Sequence, residues 1–187
     1  MSTGPGHRPY HPAFRPLAVL VPAVAAVAIA LLLWQRHTGR PPAVDTASIP
    51  PPAAVEISWV AFAPIDTIIA GGADAFRRGD WDEAARLLSR ARFFTDSGIR
   101  EGSIASEPDN LDLFIGLAEF YRGYPDRGIE SAAREIERDP LDEQARWYLA
   151  SMLIAAGRGK EARSHLETLE GMGGTRAAQA REALGRL

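Results

Sequence analysis

The chain of 187 residues contains no cysteine. That absence excludes disulfide cross-links, thiolate metal centres and a cysteine nucleophile, and leaves stability to packing alone. Histidine is scarce as well, with four residues in all. His7 and His11, in the stretch HRPYH, stand beside prolines near the amino terminus and read as tail rather than as a metal pair. His165, the one histidine of the later helical part, reads as a surface residue rather than a base. No P-loop, GxGxxG, GxSxG or HExxH pattern occurs. The carboxylate pairs Asp142/Glu143 and Glu135/Asp139 read as helix-end and solvated-face charges. Neither enzymatic activity nor a cofactor is therefore expected. A basic excess is missing too: Lys and Arg number 21 against 24 Asp and Glu. Residues 1–40 carry Arg8, Arg15, Arg36 and Arg40 and no acid, so the remainder is acidic, with its arginines interleaved among carboxylates. Binding to nucleic acid needs a clustered basic face, and no nucleic-acid partner is expected.

What is present begins with one long apolar run. Leu17–Trp34 reads LAVLVPAVAAVAIALLLW, without a charge. As a helix it spans about 27 Å at about 1.5 Å per residue, close to the roughly 30 Å of a bilayer core once Pro16 and Gln35 are added. Trp34, Gln35 and Arg36 mark an interfacial boundary. The run is longer than a signal-peptide core and no small-x-small site follows it promptly, so an uncleaved single-pass anchor over 17–35 is expected, after a tail at 1–16. Arg8 and Arg15 nearly balance Arg36 and Arg40; the free amino terminus tips the orientation towards a cytoplasmic tail and an extracytoplasmic domain.

Residues 36–63 form the join. The stretch PPAVDTASIPPPAA, 41–54, has five prolines and reads as a semi-rigid extended spacer holding the domain off the bilayer. The run VEISWVAFA, 55–63, is too short for periodicity to separate a strand from a segment laid along the first helices. Trp59 and Phe62 are expected to pack on the domain, a membrane-surface contact being the alternative.

From residue 64 to 187 the pattern is one of helical hairpins separated by glycine. Gly79-Asp80-Trp81-Asp82-Glu83 is a turn followed by a capping-box-like start, after which Ala84, Leu88 and Ala91 recur on one helical face. Gly123 and Gly157 lie 34 residues apart. These features resemble the tetratricopeptide repeat family, whose 34-residue units pair a helix A with a helix B. The resemblance covers about 65–176 in three units, 65–98, 109–142 and 143–176, and implies an all-α solenoid. Gly72 and Gly116 take the small helix A position, Leu149 and Ala150 the crossing pair of the third unit, Ala162 and Leu166 its helix B positions, Ile136 a late apolar position and Pro140 the closing proline. Asp96 stands where the first closing proline belongs, Gly128 and Ala132 where an alanine and a large residue are usual, and Gly173-Gly174 end the third unit without proline. Those departures imply weakly packed repeats. About ten residues near 97–107, SGIREGSIASE, are inserted as a surface loop. After Thr175, read as an N-cap, RAAQAREALGRL forms a terminal capping helix.

The resemblance also implies a binding face. The family binds partners on the concave face of its A helices, and its contact positions correspond here to Ile69, Phe76 and Arg77, then Asn110, Leu113, Leu117 and Tyr121, then Gln144, Trp147, Tyr148 and Ser151. Leu113, Leu117 and Trp147 equally fit inter-repeat core. The lysine/asparagine clamp that some members close on a C-terminal carboxylate is missing, since Ile69 and Ala73 stand in its place. The expected partner is thus a protein, met as an amphipathic helix or apolar peptide. Two functions follow. The chain is a membrane-anchored adaptor or assembly factor working through this face, or a permanent structural subunit of a larger membrane complex, bound through its anchor and flanks.

Overall fold

The computed structural model describes residues 48–58 and 63–187. Among the described residues seven helices run in order: α1 (Ala63–Arg77), α2 (Trp81–Arg100), α3 (Leu111–Tyr121), α4 (Pro125–Arg138), α5 (Glu143–Ala155), α6 (Gly159–Met172) and α7 (Ala177–Leu184). Each packs on the one before and the one after it, and α3 also touches α5. This is the nearest-neighbour pattern of an α-solenoid, with α1, α3 and α5 as A helices, α2, α4 and α6 as B helices and α7 over the last hairpin.

The turns follow from local chemistry. Gly79, Gly123 and Gly157 have φ of +74°, +87° and +73°, a left-handed conformation that costs an ordinary L residue about 1–2 kcal/mol. Asp80 then caps α2, its carboxylate accepting from the Glu83 backbone N–H at 3.2 Å. The reciprocal half of a capping box is not made, because the Glu83 side chain turns to Arg86 and the Asp80 N–H donates to the Ala75 carbonyl. Asp142 caps α5 through the Ala145 N–H at 2.9 Å, a helix-end role as expected. Pro125 opens α4 where a missing N–H is harmless, and Gly173, at φ +68°, stops α6 where the repeat has no proline.

Ala84, Leu88 and Ala91 are fully buried on α2, and Gly72 makes room for Leu88: a Cβ there would stand 2.6 Å from Leu88 Cδ2. The second unit is not weakly packed. A Cβ on Gly116 would lie 2.6 Å from the Gly128 carbonyl oxygen, and one on Gly128 would lie 2.7 Å from the Gly116 oxygen. The two glycines let α3 and α4 meet backbone to backbone, so the small residue at 128 is a device for close crossing rather than a defect.

The insertion is only partly a loop. With Asp96 in place of proline nothing stops helix B, and α2 runs for 20 residues against 14 in α4 and 14 in α6. Ser97 to Arg100 are therefore helical, and the chain loops only from Glu101 to Asn110. Ion pairs pin that loop. Arg92 meets Glu107 at 2.7 Å and Asp112 at 3.0 Å, and Arg138 donates to the Pro108 carbonyl at 2.7 Å. Glu135 is not on a solvated face: its side chain is 1% exposed, pairs with Arg138 and accepts from the Asn110 N–H at 3.1 Å. Arg138 is one turn on along α4, but Asn110 closes the loop 25 residues earlier, out of reach of any local pattern.

At the far end Ala180 buries α7 against α6. The N-cap position is Arg176 rather than Thr175. Thr175 instead donates to Glu143 at 3.0 Å, and the same carboxylate accepts from the Arg176 N–H at 3.1 Å.

No helix of the described residues is long and apolar enough to cross a membrane. The run Leu17–Trp34 lies outside the described residues, as do His7, His11, Trp59 and Phe62. Ile49 and Ile57, by contrast, belong to the core, at 4% and 8% exposure. The second half of the proline-rich join is thus seated on the helices rather than standing off them.

Candidate functional site

The A helices bring the sequence-derived contact positions onto neighbouring elements but do not leave them all accessible. Ile69, Phe76, Leu113, Leu117 and Tyr148 are buried, so these five act as core between hairpins and not as a free contact surface. Arg77 is exposed and paired with Asp74. Asn110, Tyr121, Gln144, Trp147 and Ser151 are half-buried, the state expected of groups lining a shallow face. Buried apolar residues at these positions are explained by size: a solenoid of three hairpins needs large side chains to fill the space between successive A helices.

An aromatic cluster forms one end of the face. Phe76 meets Phe114 edge-on at 5.2 Å and Trp81 at 5.1 Å, and Trp81 lies against Tyr121 at 4.5 Å. Burial, and then the neighbouring Tyr148, push the Tyr121 phenol pKa up, and burial raises Tyr148 also. Tyr121 Oη donates to the Ile49 carbonyl at 3.1 Å. On α5, Trp147 carries the Arg176 guanidinium over its ring at 5.7 Å, and Ser151 Oγ donates back to the Trp147 carbonyl at 2.8 Å.

The occupant of this face was not evident from sequence. Ile49 meets Tyr121 at the end of α3, while the Ser58 carbonyl accepts from the Asp109 N–H at 2.8 Å, two residues before α3 begins, as an antiparallel bridge. Residues 49–58 therefore run the length of α3 in the opposite direction. Ile49 and Ile57 are buried and Val55 packs on the core, with Pro50, Pro51, Ala53, Ala54 and Glu56 outward. The signal available was the pair of isoleucines in a run otherwise fit for solvent.

Elsewhere, His165 is half-buried rather than a surface residue, its Nδ1 3.5 Å from Arg146 Nη1, and burial lowers its pKa. Asp112 is almost fully buried, and burial raises its pKa against the pull of Arg92 and Arg134. On the first hairpin, a cavity of about 570 Å³ is lined by Ile65, Ile68, Phe93 and Phe94 among others, with Arg90 5.5 Å over the Phe94 ring. No group of three or more His, Asp or Glu able to hold a metal occurs among the described residues.

No protein-family model and no curated protein matches the chain. Solved structures do. The crystal structure of PcrH in complex with the chaperone binding region of PopB matches with a TM-score of 0.54 and 14% sequence identity, over 68% of this chain and 99% of that chain. At that identity the likeness concerns the fold, and together with the 34-residue register it makes this domain a tetratricopeptide-like helical repeat.

Proposed function

We propose that this chain is a protein-binding scaffold, an adaptor or assembly factor, that takes a partner's apolar segment on the face of α1, α3 and α5 and is held at a membrane by Leu17–Trp34 with its repeat domain extracytoplasmic. The observation that carries the binding part is the seat of residues 49–58. A Tyr121 hydroxyl reads a backbone carbonyl while two isoleucines are buried, which is how a surface recognises an extended apolar chain. The resolved structure of PcrH holds a region of another protein, PopB, and supports the same use of a similar fold. The anchor rests on its length and apolarity alone.

The test is capture from native membranes with the tagged full chain, compared with a Gln144→Arg/Ser151→Arg variant that has unchanged helical circular dichroism. Both residues are half-buried on one face of α5, one turn either side of Trp147. Loss of a protein partner in the variant alone supports the scaffold. Retention of all partners by the variant, together with their loss on deletion of residues 1–40, would favour a structural subunit joined through its anchor. The full chain should resist alkaline extraction from membranes, and its repeat domain should be cut by protease added from the extracytoplasmic side.

A further inference from the structure

We infer that residues 48–58 are a tethered occupant of the A-helix face, a built-in competitor that an incoming apolar segment must displace. The inference rests on the reading of that face as a protein-binding one.

The geometry is that of a ligand rather than of a repeat element. The segment belongs to no hairpin, and it crosses the middle A helix against its direction. Its ends are held by Tyr121 Oη on the Ile49 carbonyl at 3.1 Å and by the Asp109 N–H on the Ser58 carbonyl at 2.8 Å. Between them stand Pro50, Pro51 and Pro52, which have no N–H to give, so this stretch cannot zip into a ladder. What fixes it is the insertion of Ile49, Val55 and Ile57 among the helices. It would detach without breaking a helix hydrogen bond, because the helices satisfy their own backbones.

The covalent link makes the segment a strong competitor. A short tether gives an effective concentration on the order of millimolar, so an external peptide of equal intrinsic affinity meets a face that is already largely filled. The apparent affinity for a partner falls by the fraction of time the face is free. Partners that bind must outdo Ile49 and Ile57 in apolar contact, and weakly apolar chains are screened out.

The probe is a fluorescein-labelled synthetic peptide of residues 48–58, SIPPPAAVEIS, titrated into the purified full chain and followed by anisotropy. The wild-type chain should bind it weakly. Ile49→Asp/Ile57→Asp, which ejects the tethered copy, should bind the same peptide at least tenfold more tightly while keeping its helical circular dichroism. Adding Tyr121→Phe to that variant should weaken the peptide by about threefold to tenfold, the loss of one hydrogen bond. Equal binding by wild type and double variant, or no binding by the double variant, would overturn the inference. So would unfolding of the double variant, since the segment would then be core and not a displaceable occupant. Because the assay contains no partner protein, its outcome is independent of the capture result: a failed capture with successful peptide release removes the partner reading and leaves the self-occupancy standing.

Discussion

Gly116→Ala offers a sharp test of how the second hairpin is built. The added methyl would stand 2.6 Å from the Gly128 carbonyl oxygen and 3.1 Å from the Ala132 nitrogen, and both obstacles are backbone. Neither can rotate away, so α3 and α4 must separate by several tenths of an ångström along their whole contact. Overpacking of this kind costs about 1–3 kcal/mol, and is at the upper end where the main chain is the obstacle. Alanine in a helix interior returns about 1 kcal/mol over glycine. The net expectation is a loss of about 2 kcal/mol, or roughly 4–8 °C in Tm for a chain of this size. Gly171→Ala is the internal control: it is helical, and a Cβ there meets nothing within 4 Å. That variant should hold or gain stability by up to about 1 kcal/mol. Thermal and denaturant unfolding followed by circular dichroism would measure both. A Gly116→Ala chain as stable as wild type would refute the close crossing. The double variant with Gly128→Ala should lose less than the sum of the singles, because helices already parted accept the second methyl more easily.

Glu135→Ala should destabilise by about 1–3 kcal/mol, read from the denaturant midpoint, since it leaves the Asn110 N–H without its acceptor and removes one partner of Arg138, and Glu135→Gln should recover part of the loss by keeping an acceptor. Burial and then Arg146 hold the His165 pKa below its ordinary value of about 6.5, so the folded state takes the proton less readily than the unfolded chain. The stability tied to neutral His165 is present above about pH 6.5 and is lost as pH falls through the depressed value; His165→Gln should flatten that acid decline, and parallel pH curves for the two proteins would contradict it. Asp96→Pro should cost about 3 kcal/mol or more by breaking α2 four residues early and removing the Arg92–Asp96 pair at 3.2 Å, with loss of amide protection between residues 92 and 100 on hydrogen exchange.

The hairpins were legible because their signals are local. Three glycines at the turns, Asp80 and Asp142 at helix starts, and the Ala84, Leu88, Ala91 stripe each act within one or two turns of chain. The long α2 could have been inferred from the same rule, since a missing proline at position 96 leaves helix B without a stop. What escaped the sequence acts at a distance. Glu135 accepts from an N–H 25 residues earlier, and the Ile49 carbonyl from a hydroxyl 72 residues later. Gly128 looks like a weak residue until Gly116 is placed against it. Of the eleven contact positions, Ile69, Phe76, Leu113, Leu117 and Tyr148 turned inward, because a large apolar body that suits a binding face also suits the gap between A helices. Of the other six, Arg77 is exposed and Asn110, Tyr121, Gln144, Trp147 and Ser151 are half-buried, each keeping a polar atom at its tip.

The joints between hairpins are unequal. The first and second are fastened near the start of α3 by Arg92 on Asp112, and near its end by Arg122 on Asp82 at 2.7 Å and by the Trp81–Tyr121 contact. The second and third are joined by apolar packing and by the longer Arg158–Asp126 pair, at 3.7 Å. The first joint therefore leans on charge and the second more on apolar contact, so raised salt should weaken the first more than the second.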